Sequence, residues 1–321
     1  MPTYDARGSD WVEPMLASPT KRRFSDPGWL FERKLDGVRT LAMYDADGTR
    51  LVSRNRNDVT ASYPEVVAAL QDALSEGPTD AVLDGEVVAF DGDRTSFSRL
   101  QQRIHLSGAR RIAATGVPVV YYAFDLLRWD GHDAMRVPLV ERKALLRDAI
   151  RWRDPLRYGE HVAGAGEELF ERACANGWEG VIAKRATSRY TSGRSTDWLK
   201  LKCIREQEMV VGGFTEPSGA RAGLGALLVG YYDAGQLRYG GKVGTGFTSA
   251  VLRELRASLE DIEVSGSPFV DPPREPGAHW VRPDLVVSVT FGEWTDAGRL
   301  RHPSYRGLRA DKSPADVVRE T

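Results

Sequence analysis

The stretch Phe31-Glu32-Arg33-Lys34-Leu35-Asp36-Gly37-Val38-Arg39 sets a lysine between an apolar approach and a tight Asp36-Gly37 turn. A lysine amine attacks an electrophile only as the free base, and nearby cations favour that form by disfavouring the ammonium. Arg33 and Arg39 are expected to supply such a field, while Asp36-Gly37 lets the backbone turn and come close to a ligand. In isolation the same residues also describe a hairpin with an exposed lysine and two solvated arginines. Two later segments add chemistry. Trp178-Glu179-Gly180-Val181-Ile182-Ala183-Lys184 puts a carboxylate and an ammonium at opposite ends of an apolar strand. Trp198-Leu199-Lys200-Leu201-Lys202 alternates, so a strand there turns both lysines to one face and both leucines to the other. Adjacent lysines repel unless something anionic lies between them; otherwise they guard a surface edge strand.

The elements that must hold these groups follow from pattern. Residues 1–28 are a polar, proline-punctuated lead-in, whose Lys21-Arg22-Arg23 is either a phosphate contact or a solvated cluster. Residues 29–44 suggest two strands around the lysine turn, and 50–53 a third. Ser53-Arg54-Asn55-Arg56-Asn57-Asp58 is a loop able to hydrogen-bond phosphates, or a plain polar turn. Pro64 opens a helix. Residues 81–90 look like an apolar strand pair in which Glu86 needs a partner or ligand, and 119–127 another buried strand. Helices are expected over 140–151 and 167–176, the second closed by Gly177. The arginine-bearing interval 91–118 (Arg94, Arg99, Arg103, Arg110, Arg111) is either a nucleic-acid-contacting insertion or a solvated loop and helix. After Cys203, short strands over 210–215, 225–232, 236–243 and 285–291, with one helix over 249–259, suggest a small barrel of the OB type. The boundary is expected near Ile204-Arg205-Glu206, giving domains 1–204 and 205–321, and a basic tail runs over 299–312.

A chain of 321 residues is comfortable for two domains. No apolar run reaches the roughly 20 residues of a membrane span, and the N-terminus has no signal-peptide pattern. Two cysteines, Cys174 and Cys203, are too few for a disulfide framework or a four-ligand zinc site, so both are expected as small buried hydrophobes in a reducing cytoplasm. With 44 Lys+Arg against 45 Asp+Glu, net charge −1, any nucleic-acid surface must come from local clustering.

In order, Lys34-Leu35-Asp36-Gly37-Val38-Arg39, Ser53-Arg54-Asn55, Asp84-Gly85-Glu86, Phe124-Asp125, Glu179-Gly180-Val181, Lys200-Leu201-Lys202 and Arg309-Ala310-Asp311-Lys312 resemble the ATP-dependent DNA ligases, within the covalent nucleotidyltransferases. The set looks most like the ligase module of bacterial end-joining (ligase D-type) enzymes and their stand-alone relatives. The resemblance implies an α+β nucleotidyltransferase (adenylation) domain of antiparallel sheets with flanking helices, followed by an OB-fold barrel. It implies that Lys34 attacks the α-phosphorus of ATP and carries AMP. Glu32, with nearby backbone, would read the adenine amino group, Arg39 and Glu86 would hold the ribose, and Phe124 would stack on the base. Arg33 falls within the nucleotide-binding stretch. Glu179, with Glu86 or Asp36, would hold Mg²⁺ or Mn²⁺. Lys200 and Lys202 would bracket the α-phosphate, with Lys184 in the same environment. Arg54 and Arg56 would contact DNA, and Arg309 and Lys312 would orient the leaving pyrophosphate.

The implied activity is sealing of nicked or broken double-stranded DNA between 3′-hydroxyl and 5′-phosphate ends, in repair or end joining. The protein would be a monomer in the bacterial cytoplasm, associated with the nucleoid, with Ku-type end-joining or other repair proteins as partners and no membrane. The chain is read as lacking the helical DNA-binding domain that precedes the core in larger ligases, and fused polymerase or nuclease modules. An RNA ligase or a GTP-using capping enzyme shares the Lys34 core, and a non-catalytic OB-type nucleic-acid-binding protein shares the second domain. An NAD-dependent ligase is disfavoured by length and by the missing four-cysteine zinc set.

Overall fold

The computed structural model describes residues 11–104, 106–203, 206–217 and 223–320. The extreme N-terminus and the Ile204-Arg205 joint, both used above, lie outside them. The chain divides into two units, Met1–Cys203 and Ile204–Thr321.

Two sheets build the first unit, counted among the described residues. One has the order β1 (Met15–Pro19), β12 (Gly193–Lys202), β11 (Gly180–Arg185), β2 (Asp26–Lys34), β10 (His161–Gly164), with β1 and β12 parallel and the other pairs antiparallel. The other runs β4 (Gly48–Ser53), β3 (Val38–Asp45), β5 (Ala81–Asp91), β7 (Val119–Trp129), β8 (His132–Asp133); β6 (Arg94–Thr95) joins β5 and β9 (Leu156–Tyr158) joins β7. The strands flanking Lys34 are therefore no hairpin: β2 ends at Lys34 in one sheet and β3 begins at Val38 in the other. Residues 35–37 carry the chain across, and an added Cβ on Gly37 would meet the Val87 carbonyl oxygen at 2.2 Å. Only glycine allows that approach.

The helices are α1 (Pro64–Leu74), α2 (Phe97–Gln101), α3 (Ala109–Ala114), α4 (Leu139–Ala149) and α5 (Gly166–Ala175). Helix α1 buries Val66, Leu70 and Leu74, an i, i+4, i+8 stripe, against the core of the second sheet. Helix α5 lays Leu169, Phe170 and Ala173 on Phe31, Val181, Ala183 and Leu201 of the first sheet. Alternation explains that second core: odd-numbered residues of β2, β11 and β12 face α5, and even-numbered ones face away from it.

Several expectations change. Residues 81–90 form one strand, because Gly85 packs against Tyr121 and Tyr122 instead of turning. The interval 91–118 folds as β6, α2 and α3, and Arg103 is buried, bound to Glu65, Ser62 and Val117, so it holds structure instead of contacting DNA. Cys174 and Cys203 are bonded, with Cα atoms 5.2 Å apart. Packing of α5 on the first sheet sets the end of the helix beside the end of β12, within bridging range. The expectation of two unpaired thiols fails there.

The second unit, described by itself, pairs β15 (Gln236–Val243), β14 (Leu227–Asp233), β13 (Glu206–Thr215), β18 (Val286–Thr290) and β19 (Ser304–Leu308) in that order. A bridge between Thr245 and Ser304 returns β19 to the end of β15, closing five strands into a barrel. Strands β16 (Glu263–Val264) and β17 (Ala278–Val281) extend from β13. Helix α6 (Ser249–Glu260) is capped by the Thr248 hydroxyl and buries Leu252, Leu255 and Leu259 in the barrel core. Sequence pattern missed β19 because it lies inside the basic tail, and β17 because it is four residues long.

Candidate active site

Register places the chemistry. Across β2, β11 and β12 the rows read Lys34–Gly180–Lys202, Glu32–Ile182–Lys200 and Leu30–Lys184–Trp198. Lys34, Glu32, Lys184, Lys200 and Lys202 therefore share one face, while Leu199 and Leu201 take the other, as their alternation predicts. Gly180 has φ of 151°, and an added Cβ would overlap the Leu201 carbonyl. The residue following Glu179 must therefore be glycine for the strand to start there.

Lys34 Nζ makes an ion pair with Glu179 Oε1. Burial works against its charge, but Glu179, then Glu86 and Asp36, outweigh burial and raise the lysine above its ordinary pKa. This reverses the expected depression. The expected cations are spent elsewhere. Arg33 lies on the opposite face of β2, donating to the Asp93 carbonyl at 3.0 Å with its guanidinium 4.3 Å from the Trp178 ring centroid. Arg39 is gripped by Asp84, Nε to Oδ1 and Nη2 to Oδ2 both at 2.5 Å, and Tyr190 donates to Asp84 at 2.6 Å. Despite burial, Asp84 raises the Arg39 pKa.

Glu86 stands opposite Arg39 in the register, and its Oε1 accepts the Gly37 N–H at 2.7 Å. Burial raises its pKa against the pull of Lys34 and Arg39. Arg39 and Glu86 thus stand side by side on neighbouring strands. The second carboxylate oxygen of Glu179 is buried without a hydrogen-bond partner, an acceptor available to a cation. Asp36, close enough to act on the Lys34 charge, also turns toward α2: its Oδ2 accepts the Phe97 N–H at 3.3 Å and its own N–H donates to Thr95. Among the described residues no three acidic, histidine or cysteine side chains converge as a metal cage. Residues 35–37 cross between sheets toward α2, which turns Asp36 that way. Glu179 and Glu86 are the pair that fits a divalent cation sharing its remaining sites with phosphate and water.

A cavity of about 280 Å³ opens where β10 ends and leaves the edge of β2 uncovered beyond Glu32. Glu32, Arg33, Tyr122, Phe124, Tyr158 and Gly159 line it. Its position at an uncovered strand edge suits a base that hydrogen-bonds to backbone. Phe124 is 7% exposed, and the guanidinium of Arg39 and Nζ of Lys184 lie 4.5 and 4.3 Å from its centroid. Lys184 departs further from expectation. It is buried, 2.7 Å from Glu32 Oε2 and 4.2 Å from the Trp198 centroid, with its pKa pushed down to about 8 by burial, against Glu32 and helped by Lys143. The Leu30–Lys184–Trp198 row sets it beside Glu32 and against the Phe124 ring.

Two cations escaped notice in the sequence. Arg142 and Lys143 stand side by side on α4, where a helix pattern reads as solvated charge, yet both are buried. Arg142 forms a bidentate pair with Asp125 at 2.7 and 2.8 Å, directly after Phe124. Lys143 reaches Glu32 Oε1 at 2.6 Å. The apolar neighbours Leu139 and Leu146 were the available signal that this face of α4 turns inward.

Arg54 follows β4, and its N–H donates to the Arg39 carbonyl at 3.1 Å, which ties its loop to the site. Arg56 is exposed at φ of 62°, its guanidinium 4.0 Å from the Trp11 centroid. Arg23 covers Phe170 at 4.7 Å. In the second unit Arg309 pairs with Asp311 through two 2.9 Å bonds, and Lys312 lies 3.4 Å from Glu208.

A lysine ringed by carboxylates, two more lysines on the next strand but one and a base-sized cavity make a site suited to a nucleotide and its phosphates. Residues 14–202 match the ATP dependent DNA ligase domain, and residues 220–312 the ATP dependent DNA ligase C terminal region. The multifunctional non-homologous end joining protein LigD of Pseudomonas aeruginosa is 39% identical over 320 residues, covering 97% of this chain and 37% of that protein. A DNA ligase of Natronomonas pharaonis is 36% identical over 339 residues, covering 97% of this chain and 59% of that protein. The structure of mycobacterial DNA ligase D complexed with ATP and MES superposes with a TM-score of 0.69 at 38% identity, covering 96% of this chain and 98% of that one. The chain belongs to the family of ATP-dependent DNA ligases, as a nucleotidyltransferase domain followed by an OB-fold domain. It spans 37% of the Pseudomonas LigD relative, well under half of its length.

Proposed function

We propose that this chain takes AMP from ATP onto Lys34, passes it to the 5′-phosphate of a nicked or broken duplex, and seals the strand when the neighbouring 3′-hydroxyl attacks. The observation that carries this is the lysine face itself: Lys34, Lys200 and Lys202 in adjoining rows beside Glu179 and Glu86. In the first step the Lys34 amine forms a bond to the α-phosphorus and pyrophosphate leaves. Lys34 must first shed the proton that Glu179 and Glu86 stabilise. Lys200 and Lys202 offset charge as it builds on the α-phosphate. Glu32 and the β2 edge face the base, Phe124 packs against it, and Arg39 with Glu86 holds the ribose. Glu179 and Glu86 suit Mg²⁺ or Mn²⁺, whose charge when bound would offset the carboxylates that keep Lys34 an ammonium. Arg54 and Arg56 serve the DNA, and Arg309 and Lys312 the departing pyrophosphate. The end-joining name of the LigD relatives supports action at broken DNA ends; in this proposal the chain works as a monomer in the bacterial nucleoid, with a Ku-type or other repair protein as its recruiter.

Intact mass tests the first step. After pyrophosphate has stripped any bound AMP, wild type with ATP and Mg²⁺ should gain one AMP, about 329 Da, and Lys34→Ala should gain nothing. Adding nicked duplex should then discharge the adduct. No gain with ATP, using Mn²⁺ as well as Mg²⁺, would sink the mechanism, and a gain with GTP alone would point to a capping-type enzyme.

A further inference from the structure

Lys143 has no part in the chemistry above, yet it is fully buried and its three donors have three acceptors: Glu32 Oε1 at 2.6 Å, the Gly159 carbonyl at 2.8 Å and the Phe124 carbonyl at 3.3 Å. Its ammonium also sits 4.8 Å from the Tyr158 ring centroid, and the Tyr158 hydroxyl donates back to the Lys143 carbonyl at 3.3 Å. Glu32, Phe124, Tyr158 and Gly159 all line the cavity beside β2. One lysine behind the wall therefore touches four of the residues that make the wall. Its neighbour Arg142 clamps Asp125, the residue after Phe124, so α4 anchors this stretch of β7 twice.

We infer that Lys143 is a positioning residue that sets the preference of the base cavity for adenine over guanine by holding Glu32 as a fixed, unprotonated acceptor. This rests on the assignment of the cavity to the nucleotide base. A 6-amino purine donates toward an acceptor, whereas a 6-oxo purine turns lone pairs toward it. Glu32 can reject the oxo group only while it stays ionised and in place. Burial favours its protonated form, and Lys143 and Lys184 outweigh burial. Without Lys143 the carboxyl is held from one side only, and a protonated carboxyl could donate to a 6-oxo group. Lys143 acts through Glu32, not on the substrate.

The test uses the whole chain, with single-turnover adduct formation from ATP and from GTP followed by intact mass over a range of nucleotide concentrations. In Lys143→Met the ATP:GTP ratio of rate over half-saturating concentration should fall by at least about tenfold, chiefly through weaker ATP saturation and not a lower maximal rate. Lys143→Arg, which keeps the charge, should recover part of the ratio. A folded Lys143→Met with wild-type ratio and saturation overturns the proposal. Should Lys143→Met fail to fold, Glu32→Gln/Lys143→Met removes both charges together and is compared with Glu32→Gln. Equal ratios show that Lys143 works through Glu32; a further drop in the double variant overturns it. Wild type forming no adduct with either nucleotide would refute the ligase mechanism itself, a failure visible before any variant is read.

Discussion

Lys34 is stored as an ammonium. Burial opposes its charge, but Glu179 and Glu86 prevail, so the residue that must act as a nucleophile is protected until its carboxylates are engaged otherwise. Glu179→Gln should therefore lower the pH at which Lys34 becomes reactive. Labelling with a small acylating reagent across a pH series, with peptide mapping of Lys34, should show the midpoint move down, and an unmoved midpoint would contradict the pairing. Lys184 behaves in the opposite sense. Its folded pKa of about 8 lies below the ordinary lysine value, so above about 8 the unfolded chain binds a proton that the folded chain has lost. From there up to the ordinary lysine range this group makes stability rise with pH. Lys184→Met should flatten that part of the stability profile, read by urea unfolding at successive pH values. Both residues alternate on the same face, yet one is held charged and the other pushed toward neutrality. The difference is what stands across from each: the carboxylates of Glu179, Glu86 and Asp36 near Lys34, and beside Lys184 a second lysine sharing the Glu32 carboxylate.

At the level of elements, α4 is the part whose weight was least visible. It drives Arg142 and Lys143 into the first unit, and Asp125 and Arg142 are both fully buried. Removing one partner of such a pair leaves the other charge in a poor solvent, which costs about 3–5 kcal/mol. Arg142→Met should lose that much in urea unfolding, while Arg147→Ala, which breaks an exposed pair with Asp148, should leave the unfolding midpoint nearly unchanged. Helix α5 and β12 end together at Cys174 and Cys203. Thiol titration of the denatured, unreduced protein should find no free thiol, and two after reduction. Two free thiols before reduction would restore the original expectation.

Across the whole chain, the hydrophobic cores divide as the units do. One core lies wholly within residues 209–317 and the others within residues 11–203. Residues 1–203 expressed alone should therefore fold, with a cooperative thermal transition. They should form the AMP adduct roughly 10²–10³-fold more slowly than the full chain if Arg309 and Lys312 assist pyrophosphate departure. Equal adduct rates would remove those two residues from the first step.

Much of this protein could be read directly from its residues. Strand alternation placed Lys200 and Lys202 together and Leu199 and Leu201 away from them, because side chains on a strand alternate wherever the strand lies. Turn chemistry placed Asp36-Gly37 next to the lysine, and ordered motifs pointed to the family. Tertiary structure alone decided the charge environment. Arg33 is one residue from Lys34 but on the other face of β2, whereas Glu179 is far along the chain and in contact with it. Sequence distance says little about electrostatic distance once strands far apart in the chain pair side by side. The same holds for Lys143 and Glu32, 111 residues apart and joined in a buried pair. A helix in a sequence shows which residues are charged; only the sheet it packs against determines whether those charges meet water or a carboxylate.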